Sequence, residues 1–277
     1  MKRFERYYLN GKQEEKRICL YWLTSFGIQS VVNLKPSDFL LSVVERHVKG
    51  EITLDRVKKE LDQYYENKRH HRHDEDAGHH HHHTQEADRV SYRIVKYFMG
   101  NDFSLSFQGF SDAHHLLFHG IYAHSGQVRE HSASKKEWVL GNTSVIYPSA
   151  SGIEEYMNYL FETENCFDCD GLSEAHKLRH YSEFIAKLFI ANAFQYANSR
   201  VSFVYAMKYM LSRGYNFCND TFLQEAWYFR NAIIRASYTN MHQGIYPTTK
   251  YMEMFLGNLF LDEDNELRNH RMVIKGE

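Results

Sequence analysis

Proline is nearly missing from this chain, with three residues in 277. So few breaks leave room for long helices, and an aromatic content of 15% supplies Tyr and Phe to pack them. Cysteine is scarce too. Cys19, Cys166, Cys169 and Cys218 follow no disulfide-framework spacing, which sets aside the small stapled secreted folds and fits a reducing cytoplasm. No run of about 18 apolar residues occurs, so no membrane-spanning helix is expected. The opening MKRFERYYLNGK lacks the apolar core of a signal peptide. An excess of one charge sign is also lacking. The formal net charge is −2 with both signs interspersed, and no field is expected to recruit nucleic acid or a membrane surface.

What is present is a soluble composition, 43% hydrophobic and 25% charged, long enough for one substantial domain and a small one. Residues 1–66 form the small one and read as three short helices. The first lies around Glu14–Phe26. The second starts near Pro36–Ser37–Asp38 and stops at Gly50, and the third starts at a Thr53 N-cap and carries Leu54, Val57, Leu61 and Tyr64 at helical spacing. Residues 67–86 hold NKRHHRHDEDAGHHHHHT, rich in histidine and almost free of apolar residues, and read as a linker. Histidine tracts can bind Zn²⁺ or Ni²⁺, but the solvated linker is the favoured reading.

The larger domain spans 87–277. Helices are expected at Ala87–Met99, Ser111–Tyr122, Ile153–Glu162 with a Ser151/Glu154 capping box, Glu174–Ala191, Val201–Ser212, from Asn219–Asp220 through Tyr238, and Thr248–Leu261. Between Lys135 and Tyr147, two β-prone runs flank Gly141–Asn142 and read as a hairpin. The fold class is therefore all-α with one β-hairpin. The loop from Asn192 to Arg200 joins two apolar helices. Its second half opens a helix, where backbone N–H groups near Asn198 and Ser199 and the Arg200 fork suit an anion such as phosphate. Taken alone, Asn-Ser-Arg at a helix start is more often a structural cap.

The segment FIAKLFIANAFQYANSRVSFVYAMKYM resembles the Fic (filamentation-induced-by-cAMP) motif, which in that family reads His-x-Phe-x-Asp/Glu-Gly-Asn-x-Arg. HHLLFHGIYAHSGQVRE, KKEWVLGNTSVIY and NDTFLQEAWYFRNAIIRASYTN are similar to the family's upstream helix and turn, its flap hairpin and its C-terminal helices. The resemblance covers roughly residues 87–275. It implies an all-α fold that moves AMP from ATP, with Mg²⁺, onto protein hydroxyls, the flap docking the target through Lys136, Glu137, Trp138, Val139 and Leu140. Phe194, Asn198 and Arg200 match the motif, and Ser199 fills its variable place. Asn192 stands at the position of the family's catalytic histidine, Tyr196 at that of the metal-binding acid and Ala197 at that of the glycine. An amide is no general base near neutral pH, and a phenol is a poor Mg²⁺ ligand unless ionised.

The N-terminal helices resemble the antitoxin module that accompanies many Fic domains, whose inhibitory helix reads Ser/Thr-x-x-x-Glu-Gly/Asn. Here Ser25 matches, Gln29 replaces the glutamate and Ser30 the small last residue. In the family that glutamate acts on a phosphate-binding arginine, and glutamine lacks its charge. Three functions stay open. One is a degenerate Fic protein binding a nucleotide or an unknown protein partner, with ATP and Mg²⁺ as possible cofactors. Another is an active transferase using a substitute base such as His114, His115, His119, His124 or His131. The last is an interaction module using the hairpin. Cys166 and Cys169 have C-x-x-C spacing but no second pair, so zinc or redox chemistry is not favoured there.

Overall fold

The computed structural model describes residues 2–70 and 78–274, side chains excepted at 69, 70 and 78–82. It divides into two compact units, one of Met1–Asn101 with Phe222–Gln224, the other of Asp102–Thr221 with Glu225–Glu277. In the first unit α1 (Glu5–Asn10), α2 (Gln13–Ser30), α3 (Asp38–Val48), α4 (Leu54–His70) and α5 (Gly78–Met99) follow one another. α1, α3 and α5 all pack on α2, so that every residue from Ile18 to Gln29 is buried. Gly27 lets α2 run four residues past Phe26, where the sequence suggested an end. A Cβ there would meet the Phe222 carbonyl at 2.4 Å, so only glycine permits that approach.

Several polar groups buried in this unit are matched. The Trp22 indole donates to His47 Nδ1 at 3.0 Å, and burial lowers the His47 pKa, keeping it the neutral acceptor that this bond requires. Ser37 caps α3 as expected, accepting from the Leu40 N–H at 2.9 Å. Asp88 then receives the Ser37 N–H, the Ser37 hydroxyl and the Tyr65 hydroxyl at 2.8, 2.5 and 2.7 Å.

The expected linker differs from what is observed. Residues 67–70 end α4 and residues 78–86 open α5, while 71–77 and the tract's metal-binding reading lie outside the described residues. The division between units falls after Asn101 and not at 86, because α5 packs on α2 and α4.

The second unit holds α6 (Phe107–Phe118), α7 (Ile153–Asn165), α8 (Glu174–Ala191), α9 (Asn198–Ser212), α10 (Thr221–Ser237, irregular at Glu225) and α11 (Lys250–Leu261). With one two-stranded sheet among the described residues, the architecture is all-α with a single hairpin, as the sequence indicated. α9 is its axis, buried from Arg200 to Met210. Tyr205 meets Phe110 edge-on at 5.2 Å and Phe203 meets Phe229 at 5.1 Å, each ring contributing roughly 2–3 kcal/mol by burial. No described helix is long and apolar enough to cross a membrane.

Three local readings change. α6 starts at Phe107 because Ser106 caps it, accepting from Gly109 N–H at 3.0 Å, and it ends before the turn at 119–122. The Ser151/Glu154 capping box is absent: a short 3₁₀ turn at Ala150–Gly152 makes Gly152 the N-cap of α7. In the hairpin only Lys136–Glu137 (β1) and Thr143–Ser144 (β2) pair, antiparallel, because Trp138–Leu140 coils into a 3₁₀ turn that buries Val139 and Leu140. Gly141 and Asn142 then take φ of 63° and 64° to return the chain.

Candidate functional site

The loop between α8 and α9 is bounded by two left-handed residues. Asn192, with φ 42° and ψ 48°, ends α8, and Ala197, with φ 59° and ψ 17°, is the N-cap of α9. Asparagine tolerates this region, whereas alanine holds it at about 1–2 kcal/mol. The sharp turn associated with glycine therefore persists without glycine. Asn198 closes the loop on itself. Its Oδ1 accepts from the Phe194 N–H at 2.8 Å and its Nδ2 donates to the Phe194 carbonyl at 2.5 Å. That amide side chain is occupied, leaving the backbone N–H groups at the start of α9 as its contribution to any anion.

Phe194 is buried and stacks on His114, the ring centroids 4.0 Å apart. His114 is a strut. The Gly126 N–H donates to its Nδ1 at 2.8 Å, so the proton sits on Nε2, which donates to the Tyr196 carbonyl at 3.1 Å. Burial pushes its pKa down to about 4. It is neutral and engaged at both nitrogens, which removes it from the candidate substitute bases. His115 and His119 stack on each other at 5.5 Å on an exposed face. His124 and His131 line a cleft of about 400 Å³ with Gln127, Arg129, Asn192 and Gln195.

Arg200 lies in the first turn of α9, 3% exposed, and its Nη2 donates to the Tyr122 hydroxyl at 2.7 Å. Its guanidinium also sits over the Phe118 ring at 4.8 Å. Tyr196 is half-exposed and stacks on Tyr122 at 5.3 Å. Hard divalent cations take carboxylate, carbonyl and water oxygens. No carboxylate occurs between Asn192 and Arg200, and no group of three or more His, Cys, Asp or Glu side chains able to hold a metal exists among the described residues. The residues present do not fit Mg²⁺.

The flap residues separate into two sets. Lys136 and Trp138 are exposed; Glu137, Val139 and Leu140 are buried. Glu137 receives two parallel bonds from Arg230 of α10 at 2.8 and 2.7 Å, the two side chains 3% and 4% exposed. In the first unit Ser25 and Ser30 donate to carbonyls three residues back at 2.7 Å, and Ser25 and Gln29 are buried. Cys166 is exposed and Cys169 half-buried, both free.

Sequence reasoning missed Arg129, which gathers this region. Its guanidinium donates to the carbonyls of Asn192, His131 and Pro148 at 2.8, 2.6 and 2.6 Å. Its own N–H reaches the Ala193 carbonyl at 2.9 Å within an isolated bridge pairing Val128 with Phe194. One signal was available, an arginine three residues after the Gly126 turn. Its partners are main-chain carbonyls, which no side-chain pattern marks.

Two buried helices, the second begun by a left-handed N-cap and an arginine, together with a short hairpin, place the second unit in a known class of all-α folds. The chain has a Fic fold. It matches the BepC protein of Bartonella tribocorum, a VirB-translocated effector solved with bound AMPPNP, at TM-score 0.51 and 16% identity over 65% of this chain and 86% of that one. It also matches the N-terminal Fic domain of a Bep effector from Bartonella sp. AR 15-3, at TM-score 0.51 and 13% identity over 66% and 83%. No family model and no curated protein sequence matches the chain.

Proposed function

We propose that this chain is a Fic-type protein that retains phosphate recognition at the start of α9 and is impaired in AMP transfer. The observation that carries the reading is a loop whose backbone geometry is kept while its reactive groups are replaced. Ala197 keeps the left-handed turn and Arg200 the first-turn place. Asn192 puts an amide where the base belongs. A general base contributes typically 10²–10⁴-fold, and an amide supplies none of it. The BepC structure carries a nucleotide analogue on the same fold, which supports a phosphate-bearing nucleotide as ligand. Without a carboxylate at Tyr196, binding is expected to gain little from Mg²⁺.

The N-terminal helices act in this reading as a relic of the antitoxin module, with Ser25 and Gln29 in place of its inhibitory pair and no charge to set against Arg200. Titration with ATP, with and without Mg²⁺, tests the proposal in wild type and Arg200→Lys. Metal-insensitive binding, weakened in Arg200→Lys, is expected; no heat or thermal shift with ATP would refute phosphate recognition. Radiolabelled ATP should label no protein with wild type. Asn192→His, Tyr196→Glu and Ala197→Gly together should restore some transfer, since histidine is also at ease in the left-handed backbone of residue 192.

A second reading has one observation in its favour: His124 and His131 line the cleft beside Asn192. Either could serve as a substitute base in a transferase using another donor. Intact-mass analysis of protein targets with several phosphate-containing donors separates the two, because an adduct lost in His131→Gln would establish the second.

A further inference from the structure

The wall of the Asn192 cleft contains a buried cation without a counter-ion. Arg129 is 7% exposed and lines the cleft. Of the five N–H bonds a guanidinium carries, three end on the carbonyls of Asn192, His131 and Pro148. The remaining N–H bonds, one on each terminal nitrogen, reach no acceptor among the described residues. Burial alone acts on its pKa, lowering it, and no charged group offsets that. Carbonyl dipoles bring only partial charges, and an unmatched buried ion is costly enough that proteins rarely keep one without a use. Arg230, on the same unit, shows the contrast: its fork is filled by Glu137.

We propose that this cleft binds an anionic oxygen group, a carboxylate or a phosphate, which takes the remaining N–H bonds of Arg129 and is flanked by the His124 and His131 imidazoles. A fork of parallel N–H bonds matches the two oxygens of such a group. The cleft, at about 400 Å³, accommodates the group and the side chain that bears it. Its one carboxylate, Glu130, is exposed. The cleft shares Asn192 with the transfer reading above but is lined by none of its phosphate-binding residues, Asn198, Ser199 and Arg200. The anion has two sources, an acidic side chain of a bound polypeptide or a free phosphate ester.

The test follows the imidazole resonances of His124 and His131 by NMR in the full chain. Orthophosphate and a short aspartate-rich peptide are titrated separately, with chloride at matched ionic strength as reference. A saturable shift with orthophosphate or with the peptide is expected, the responding probe identifying the source. Glu130→Gln removes a like charge at the rim and should tighten binding roughly two- to fivefold. Arg129→Gln should abolish the response. Should that variant fail to fold, the Glu130→Gln tightening alone decides. Arg200→Lys should leave the shift in place even where it weakens ATP binding. A response lost in Arg200→Lys would place the anion at α9 and overturn the proposal, as would no response to either probe, or equal affinity in wild type and Glu130→Gln.

Discussion

The flap and the α8–α9 loop are neighbours in one unit, both turn on residues with positive φ, and they are held by different means. The flap is fastened by charge. Glu137 and Arg230 form a bidentate pair almost wholly removed from water, and the Ile274 N–H adds a bond to the Val139 carbonyl at 2.8 Å. The loop is fastened by the His114 imidazole, the Asn198 amide, the rings of Phe194 and Tyr196 stacked on His114 and Tyr122, and an Arg129 guanidinium whose partner there is the main-chain carbonyl of Asn192. A loop secured through its main chain and through Phe194 and Asn198 can vary at positions 192, 196 and 197 without losing its shape. This explains how Asn192, Tyr196 and Ala197 coexist with the left-handed turn that opens α9. The flap could not exchange its charged pair so freely, since either partner alone would leave an ion buried.

The sharpest way to break the comparison is therefore in the flap. Arg230→Met should cost about 3–5 kcal/mol, because it strands the Glu137 carboxylate without a partner. Glu137→Leu combined with Arg230→Met should recover most of that loss, as apolar packing replaces the pair. Urea unfolding of the single and double variants measures both. A single variant costing under about 1 kcal/mol would mean that the pair is solvated in solution and the flap is held otherwise.

The loop should instead respond to acid. His114 sits in the folded protein at about 4, below the ordinary value of 6.5, so the unfolded chain binds more protons between those limits. Its contribution is fully present above pH 6.5 and disappears as pH falls to about 4, a loss of about 3 kcal/mol. Other groups also contribute, among them Asp88, whose carboxyl is raised by burial and acts in the opposite sense. The informative quantity is the difference between wild type and His114→Gln at pH 7 and pH 4.5. Wild type should lose more stability across that interval, and parallel pH profiles would remove His114 from the account.

How much of this was legible in the sequence follows the same division. α8 is found from Glu174 to Ala191 as read, since its apolar spacing is long and its ends are marked. The Phe194, Asn198 and Arg200 spacing marks the loop because those side chains lie within seven residues of one another. α1 was missed because six residues with one buried position, Tyr7, carry no period. The start of α5 was hidden by histidine-rich composition, which says nothing of the packing on α2 that continues beyond it. Arg129 and Glu137 depend on partners far along the chain, 63 residues away at Asn192 and 93 at Arg230. Nothing local distinguishes a buried arginine from a solvated one until the fold brings those partners together.

Smaller effects test the loop's own closure. Asn198→Asp keeps the acceptor for the Phe194 N–H but loses the donor to the Phe194 carbonyl, setting a carboxylate against a carbonyl oxygen. A cost of about 1–2 kcal/mol is expected, read as a lower midpoint in urea. Ala197→Gly should move in the other direction. Relief of the left-handed alanine returns about 1–2 kcal/mol, while glycine gives back about 0.4–1 kcal/mol through the freedom of the unfolded chain. The net gain is about 0–1.5 kcal/mol, small and toward greater stability. A stabilised Ala197→Gly variant would mean that the chain carries backbone strain to hold this turn, as the proposed retention of the loop's shape requires. A destabilised one would mean that the alanine methyl has found packing of its own, and that the loop has moved on from the shape it resembles.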